Sequence, residues 1–226
     1  MTNFVLVPDK KQVAPTSTSK QRDYLLLDCS GSMTDEIARW EEALAGVNAY
    51  IRKLATAEID TKVTVAVFDD EYQVVRRDIA PSSCAPITND VAGLHGGGTA
   101  LNDAIGKLVA QAKADNPAKA AIVIMTDGEE NASRELKTGQ AHALLTQCRL
   151  RGWQVIFLGI DHDNARLAQQ YGASSHEVIA TGKESIAVLM AKVAEKRTAH
   201  GQTGKAISFT DAEKKDAGRL LLGTTR

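Results

Sequence analysis

Unbroken apolar runs separated by stretches of helical period dominate this chain. Tyr24-Leu25-Leu26-Leu27 is such a run, ending in Asp28, and Ala121 to Met125 and Val155 to Leu158 repeat the pattern. A strand with one face in water alternates apolar and polar residues. A short run without that alternation suits a strand covered on both faces, as in a parallel sheet. From Asp35 the period changes: Ile37, Trp40, Leu44, Val47, Ile51 and Leu54 form one apolar stripe on a helix of about five turns. Val63 to Phe68 and Tyr72 to Arg76 read as strands, and the acidic Asp69-Asp70-Glu71 between them as a hairpin turn. So short a link makes that pair antiparallel and places its second strand at the edge. Helices are expected from Thr99 through about Ala114, over roughly Gly139 to Arg151, over Asn164 to Tyr171, and from Glu184 to about Ala199, with a short strand over Glu177 to Ile179. Strands alternating with helices give an α/β fold: three layers, doubly wound, with a mostly parallel six-stranded sheet and one antiparallel edge strand.

With 226 residues the chain suits one large domain. Residues 22–200 carry the alternation. Residues 1–21 read as an N-terminal arm with an apolar patch, Phe4 to Val7, and residues 201–226 as a C-terminal arm with a weak helix around Ala212 to Leu222. Lysine and arginine total 27 against 28 acidic residues, a net charge of −1, so no basic surplus points to nucleic acid or an anionic membrane. No apolar run approaches the roughly 20 residues that span a bilayer, and the N-terminus lacks the basic region of a signal peptide. Cys29, Cys84 and Cys148 are odd in number and form no C-x-x-C pair, which argues against a zinc site or disulfide framework. A cytoplasmic protein is the expectation.

Three separated segments supply hard oxygen donors. Asp28-Cys29-Ser30-Gly31-Ser32 directly follows the first strand; Thr99 opens a helix behind Gly96, Gly97 and Gly98; Asp127-Gly128 follows the strand Ala121 to Met125. Open α/β sheets bind ligands outside the carboxyl ends of their strands, where the strand order reverses. If the first and fourth strands flank that point, Asp28 and Asp127 stand side by side above the sheet.

The pattern Asp-x-Ser-x-Ser, a distant Thr, then Asp-Gly resembles the metal-ion-dependent adhesion site of the von Willebrand factor type A (vWA) family. The contexts Leu-Asp-Cys-Ser-Gly-Ser-Met, Gly-Gly-Gly-Thr-Ala-Leu and Met-Thr-Asp-Gly-Glu-Glu-Asn are similar to intracellular bacterial members. The resemblance spans roughly residues 22 to 200. It implies the Rossmann-like vWA fold and a divalent cation, Mg²⁺ with Mn²⁺ or Ca²⁺ as alternatives, held at Asp28, Ser30, Ser32, Thr99 and Asp127. Within that set it implies that Ser30 and Ser32 bind directly, that Thr99 binds directly or through water, and that Asp28 and Asp127 chiefly orient hydroxyls and waters. The chemistry agrees: Mg²⁺ prefers oxygen in octahedral geometry. Ringed mostly by neutral hydroxyls it stays electrophilic and favours an incoming carboxylate, which a partner's Asp or Glu supplies. The resemblance therefore implies a non-catalytic, metal-dependent protein-binding scaffold or adaptor, working beside an enzyme or an AAA+ ATPase.

Competing readings are weaker. Ser, Thr and Asp at these places also cap helices and turns. His95-Gly96-Gly97-Gly98 is similar to lipase oxyanion glycines, but no Gly-x-Ser-x-Gly elbow exists. Gly182-Lys183-Glu184-Ser185 lacks the upstream glycine of a phosphate loop, and no Gly-x-Gly-x-x-Gly opens a helix. Asn131-Ala132-Ser133 matches a glycosylation sequon without a secretory signal. Cys29 reads as a packed residue, and Asp69-Asp70-Glu71 as a solvated turn rather than a Ca²⁺ site. Glu129, Glu130 and Asp161-His162-Asp163 should lie on the metal rim, either as plain loop or as residues tuning partner choice. Two other functions stay open: a Mg²⁺-dependent hydrolase, for which no base and nucleophile stand out, and a subunit that homo-oligomerises through its arms.

Overall fold

The computed structural model describes residues 21–35, 37–57, 59–93, 96–159, 164–180 and 186–214. The chain runs β1 (Gln21–Asp28), α1 (Gly31–Thr34), α2 (Ile37–Ala55), β2 (Thr61–Phe68), β3 (Tyr72–Ile79), α3 (Asn89–Ala92), α4 (Leu101–Asp115), β4 (Lys119–Thr126), α5 (Thr138–Leu150), β5 (Gln154–Gly159), α6 (Asn164–Gln170), β6 (Val178–Ala180) and α7 (Ile186–Thr203). The six strands form one sheet in the order β3-β2-β1-β4-β5-β6. All neighbours are parallel except β2 and β3, whose antiparallel pairing makes β3 the edge. This is the expected α/β architecture, with the order reversing between β1 and β4.

The apolar runs are continuous because both faces of each central strand are buried. Leu25 and Leu27 of β1 join Val63, Val65 and Val67 of β2 in a core closed by Trp40, Leu44 and Val47 of α2 and Leu189, Met190 and Val193 of α7. Tyr24 and Leu26 point the other way, packing with Ile122 and Ile124 of β4 against Ile105, Leu108 and Val109 of α4 and Leu145 of α5. Each such side chain, removed from water, contributes about 1.5–3 kcal/mol.

At the amino end of β1 the core encloses charge. Asp23 and Arg197 of α7 are both fully buried, with Nε donating to Asp23 Oδ1 at 2.7 Å. Tyr50 and Thr61 donate their hydroxyls to the same carboxylate at 2.8 and 2.5 Å, and Arg197 Nη1 reaches Gln21 Oε1 at 2.9 Å. Burial, reinforced by the charge of Asp23, raises the Tyr50 hydroxyl well above its ordinary range, so it stays a donor.

The structure departs from the sequence reading in two places. Ile37 opens α2 beyond the carboxyl end of the sheet and is 65% exposed, so it stands outside the stripe assigned to it. The last helix continues to Thr203, past the end expected near Ala199, and Ile207 and Phe209 beyond it are buried in the α2–α7 core. Residues 211–214 are helical, the start of the weak helix expected near Ala212. The Phe4 to Val7 patch, His95, Asp161-His162-Asp163, Gly182-Lys183-Glu184-Ser185 and Leu220 to Leu222 lie outside the described residues.

Candidate metal centre

Asp28 is the last residue of β1 and is fully buried. Its Oδ1 accepts the Ser30 backbone N–H at 2.9 Å, which curls the chain so that α1 begins one residue later. Its Oδ2 accepts the Thr126 hydroxyl at 2.5 Å, tying the ends of β1 and β4 together. Burial pushes the Asp28 carboxyl up to about 6, against the pull of the Ser30 and Thr126 hydrogen bonds, and the nearby charge of Asp127 adds to the rise. Met33, fully buried, anchors α1 and presents Ser32 outward. The Ser30 and Ser32 hydroxyl oxygens lie 3.3 Å apart, and Ser32 Oγ donates to Asp127 Oδ1 at 2.7 Å.

Thr99 is buried and held by its backbone. Asn131 Oδ1 accepts the Thr99 N–H at 2.8 Å, and the Asn131 N–H returns a bond to the Thr99 carbonyl at 3.0 Å. The glycine loop before it is bound to the other segments, since Gly31 N–H donates to the Gly97 carbonyl at 3.1 Å and Ala100 N–H to the Asp69 carbonyl at 2.8 Å. Gly97 lies close against the Asp70 carboxylate, which a side chain at that position would push aside. Gly128 also has close neighbours. A Cβ on it would sit 3.2 Å from Thr99 Oγ1 and 3.5 Å from Ser32 Oγ, so both hydroxyls border one small space.

Asp28, Ser30, Ser32, Thr99 and Asp127 thus meet above the β1–β4 junction, Ser32 on the solvent side and the rest largely enclosed. Among the described residues no three His, Cys, Asp or Glu side chains are placed to hold an ion together, so hydroxyls must provide much of any cation site here. The donor set suits Mg²⁺, whose neighbouring octahedral ligands stand about 3 Å apart. The 3.3 Å between the two serine oxygens fits that edge.

Four participants escaped the sequence reading. Thr126 joins the two strands, as a hydroxyl just ahead of Asp-Gly could have suggested. Arg39, in the first turn of α2, donates through Nη1 to Asp127 Oδ2 at 2.5 Å and to the Ser32 carbonyl at 2.7 Å. Asn131, set aside as a sequon, braces Thr99. Glu130, expected on the rim, braces its own loop: its Oε1 accepts the N–H groups of Ala132 and Ser133 at 3.1 and 2.8 Å. Its Oε2 accepts the Asn102 N–H at 2.8 Å and the Ser133 hydroxyl at 2.7 Å. It therefore satisfies a donor of the first turn of α4 that no capping side chain serves. Glu129 is exposed. Cys29 is fully buried; burial, then the charges of Asp69 and Asp28, push its thiol far up, which suits a packed, unreactive residue. A cavity of about 460 Å³ lined by Arg149, Trp153, His176 and Ile207 opens at the opposite end of β5 and touches none of these loops.

Fold and site together define a doubly wound α/β domain with an oxygen-rich cluster at its topological switch point. A profile of the von Willebrand factor type A domain matches residues 24–195, and the chain belongs to that family. No curated protein matches its sequence. Among solved structures, the von Willebrand factor domain of the type V pili tip protein Mfa5 from Porphyromonas gingivalis superposes with a TM-score of 0.65 at 12% identity, covering 87% of this chain and all of that one. The PilB minor pilin of Streptococcus sanguinis, as its D319A mutant, gives 0.63 at 11%, covering 82% of this chain and 63% of the pilin. Proximal thread matrix protein 1 from the mussel byssus, with a zinc-occupied MIDAS motif, gives 0.56 at 16%, covering 78% and 48%. The chain thus spans a whole Mfa5 domain but less than two thirds of the other two. At these identities the likeness establishes the fold. Among the described residues no helix is long and apolar enough to cross a membrane.

Proposed function

We propose that this protein is a metal-dependent protein-binding module whose five clustered residues hold Mg²⁺, or Mn²⁺ or Ca²⁺ in its place, and dock an Asp or Glu of a partner. The observation that carries this reading is the convergence of Ser30, Ser32 and Thr99 hydroxyls with two carboxylates already engaged. Asp28 is bound by Ser30 and Thr126, and Asp127 by Ser32 and Arg39. Both acids therefore orient hydroxyls, and neither stands ready as a general base, which favours binding over hydrolysis. A bound divalent cation supplies Lewis acidity toward an oxygen ligand; the chain supplies the position and the solvent opening beside Ser32. Ile37, exposed at the mouth of α2, offers apolar contact to the same partner. The three cysteines, all unpaired, support a reducing compartment. A scaffold or adaptor role beside an enzyme or AAA+ ATPase is in keeping with the family, and pilus and byssus relatives extend it to assembly.

The test begins with calorimetric titration of Mg²⁺ and Mn²⁺ into the full chain and into Ser30→Ala and Ser32→Ala. Wild type should bind one equivalent and each variant should lose about tenfold or more in affinity. Affinity capture from the native host with and without EDTA, using wild type and Asp28→Ala, should give a partner lost in both controls. No measurable binding of either ion by the wild type, or identical captured proteins in all arms, would overturn the reading.

A further inference from the structure

Resting on that reading, we propose that Arg39 sets the ligand class of the site: its charge offsets Asp127, so that a divalent ion held here keeps surplus positive charge outward and selects an anionic oxygen ligand over a neutral one. The side chain is built into the cluster rather than lying beside it. One nitrogen, Nη1, bridges Asp127 Oδ2 at 2.5 Å and the Ser32 carbonyl at 2.7 Å, while Ser32 Oγ closes the ring onto Asp127 Oδ1 at 2.7 Å. Asp127 is 3% exposed and Arg39 16%, so water screens the pair weakly. Two carboxylates touch the hydroxyl cluster, Asp28 and Asp127. Arg39 offsets part of that negative charge, so a divalent ion held here would keep more positive charge than it would without the arginine. The more positive the assembly, the more strongly it favours a carboxylate over water or a carbonyl.

The same arrangement makes the sign of the effect diagnostic. A cation near the ion opposes metal binding and favours an anion, so loss of the charge should move the two affinities in opposite directions. A residue that merely oriented Asp127 would, when lost, weaken both. Arg39→Met removes the charge and keeps the stem, and Arg39→Lys keeps the charge but changes the hydrogen-bonding head. Mn²⁺ affinity is read by electron paramagnetic resonance, and acetate binding to the Mn²⁺-loaded protein by loss of water-proton relaxation enhancement. Thermal unfolding confirms that each variant is folded. Arg39→Met should bind Mn²⁺ about threefold or more tighter and acetate about threefold or more weaker, with Arg39→Lys within about twofold of wild type for both. Weaker Mn²⁺ binding by Arg39→Met, or acetate affinity unchanged by it, would overturn the assignment. Failure of wild type itself to bind Mn²⁺ would instead overturn the metal reading beneath it.

Discussion

Arg197→Met is the sharpest test of how this core is held. The substitution keeps an unbranched apolar stem but removes the guanidinium that donates to Asp23 at 2.7 Å and to Gln21 at 2.9 Å, in a place where neither partner of the ion pair meets water. Removing one member of a buried pair leaves an uncompensated charge and costs about 3–5 kcal/mol. The Tyr50 and Thr61 hydroxyls still donate to Asp23, which draws the expected loss toward the lower end. In urea, with a slope near ~2 kcal/mol per molar, about 3 kcal/mol moves the midpoint down by about 1.5 M. A domain of this size should lose about 6–12 °C in Tm. The double variant Asp23→Asn/Arg197→Met removes both charges while leaving the two hydroxyls an acceptor, and should recover more than half of the loss. A single-variant loss below about 1 kcal/mol, or a double variant no more stable than the single, would refute the claim that an orphaned charge is what the arginine prevents.

Other expectations follow from the loops. Gly128→Ala places a methyl 3.2 Å from Thr99 Oγ1 and 3.5 Å from Ser32 Oγ; Mg²⁺ affinity by calorimetry should fall about tenfold or more while the urea midpoint barely moves. Asp103, buried on α4, accepts the N–H groups of Arg134, Glu135 and Leu136 at 2.7–3.1 Å; burial pulls its carboxyl upward, but those three donors outweigh it and hold it below the usual range. Asp103→Ala should therefore lose about 2 kcal/mol in urea unfolding at neutral pH. A depressed carboxyl stabilises the fold above its unfolded value and loses that contribution as pH falls through the folded one, so the gap between wild type and variant should be flat from pH 7 to 5 and close below about 4. His200 has the opposite origin: burial lowers its imidazole, so folding favours the neutral form, and stability should decline as pH drops through about 6.5. His200→Gln should flatten that decline in thermal scans.

Much of this was legible in the chain because a parallel sheet buries both faces of its strands, so Tyr24 to Leu27 and Ala121 to Met125 announce themselves by lacking alternation. The hairpin at Asp69 was legible from its length. Site residues followed from three short segments placed at strand ends, where topology brings them together. Arg39 was not legible: it stands one residue before Trp40 on a charged helix surface and resembles any solvated arginine. Glu130 was read as rim because an acid in a loop says nothing of the amides it faces. The Asp23–Arg197 contact joins residues at opposite ends of the domain, and no local pattern foretells it. Ile207 and Phe209 were missed because two hydrophobes in a polar tail carry no period.

β1 carries the buried ion pair near one end and Asp28 at the other, about 17 Å apart along the strand. Perturbations that far apart, sharing no neighbours, combine additively. The molecule thus keeps the ion pair that holds its core apart from the loops at the carboxyl end of the sheet. Substitutions among those loops should leave the stability stored at the far end unchanged.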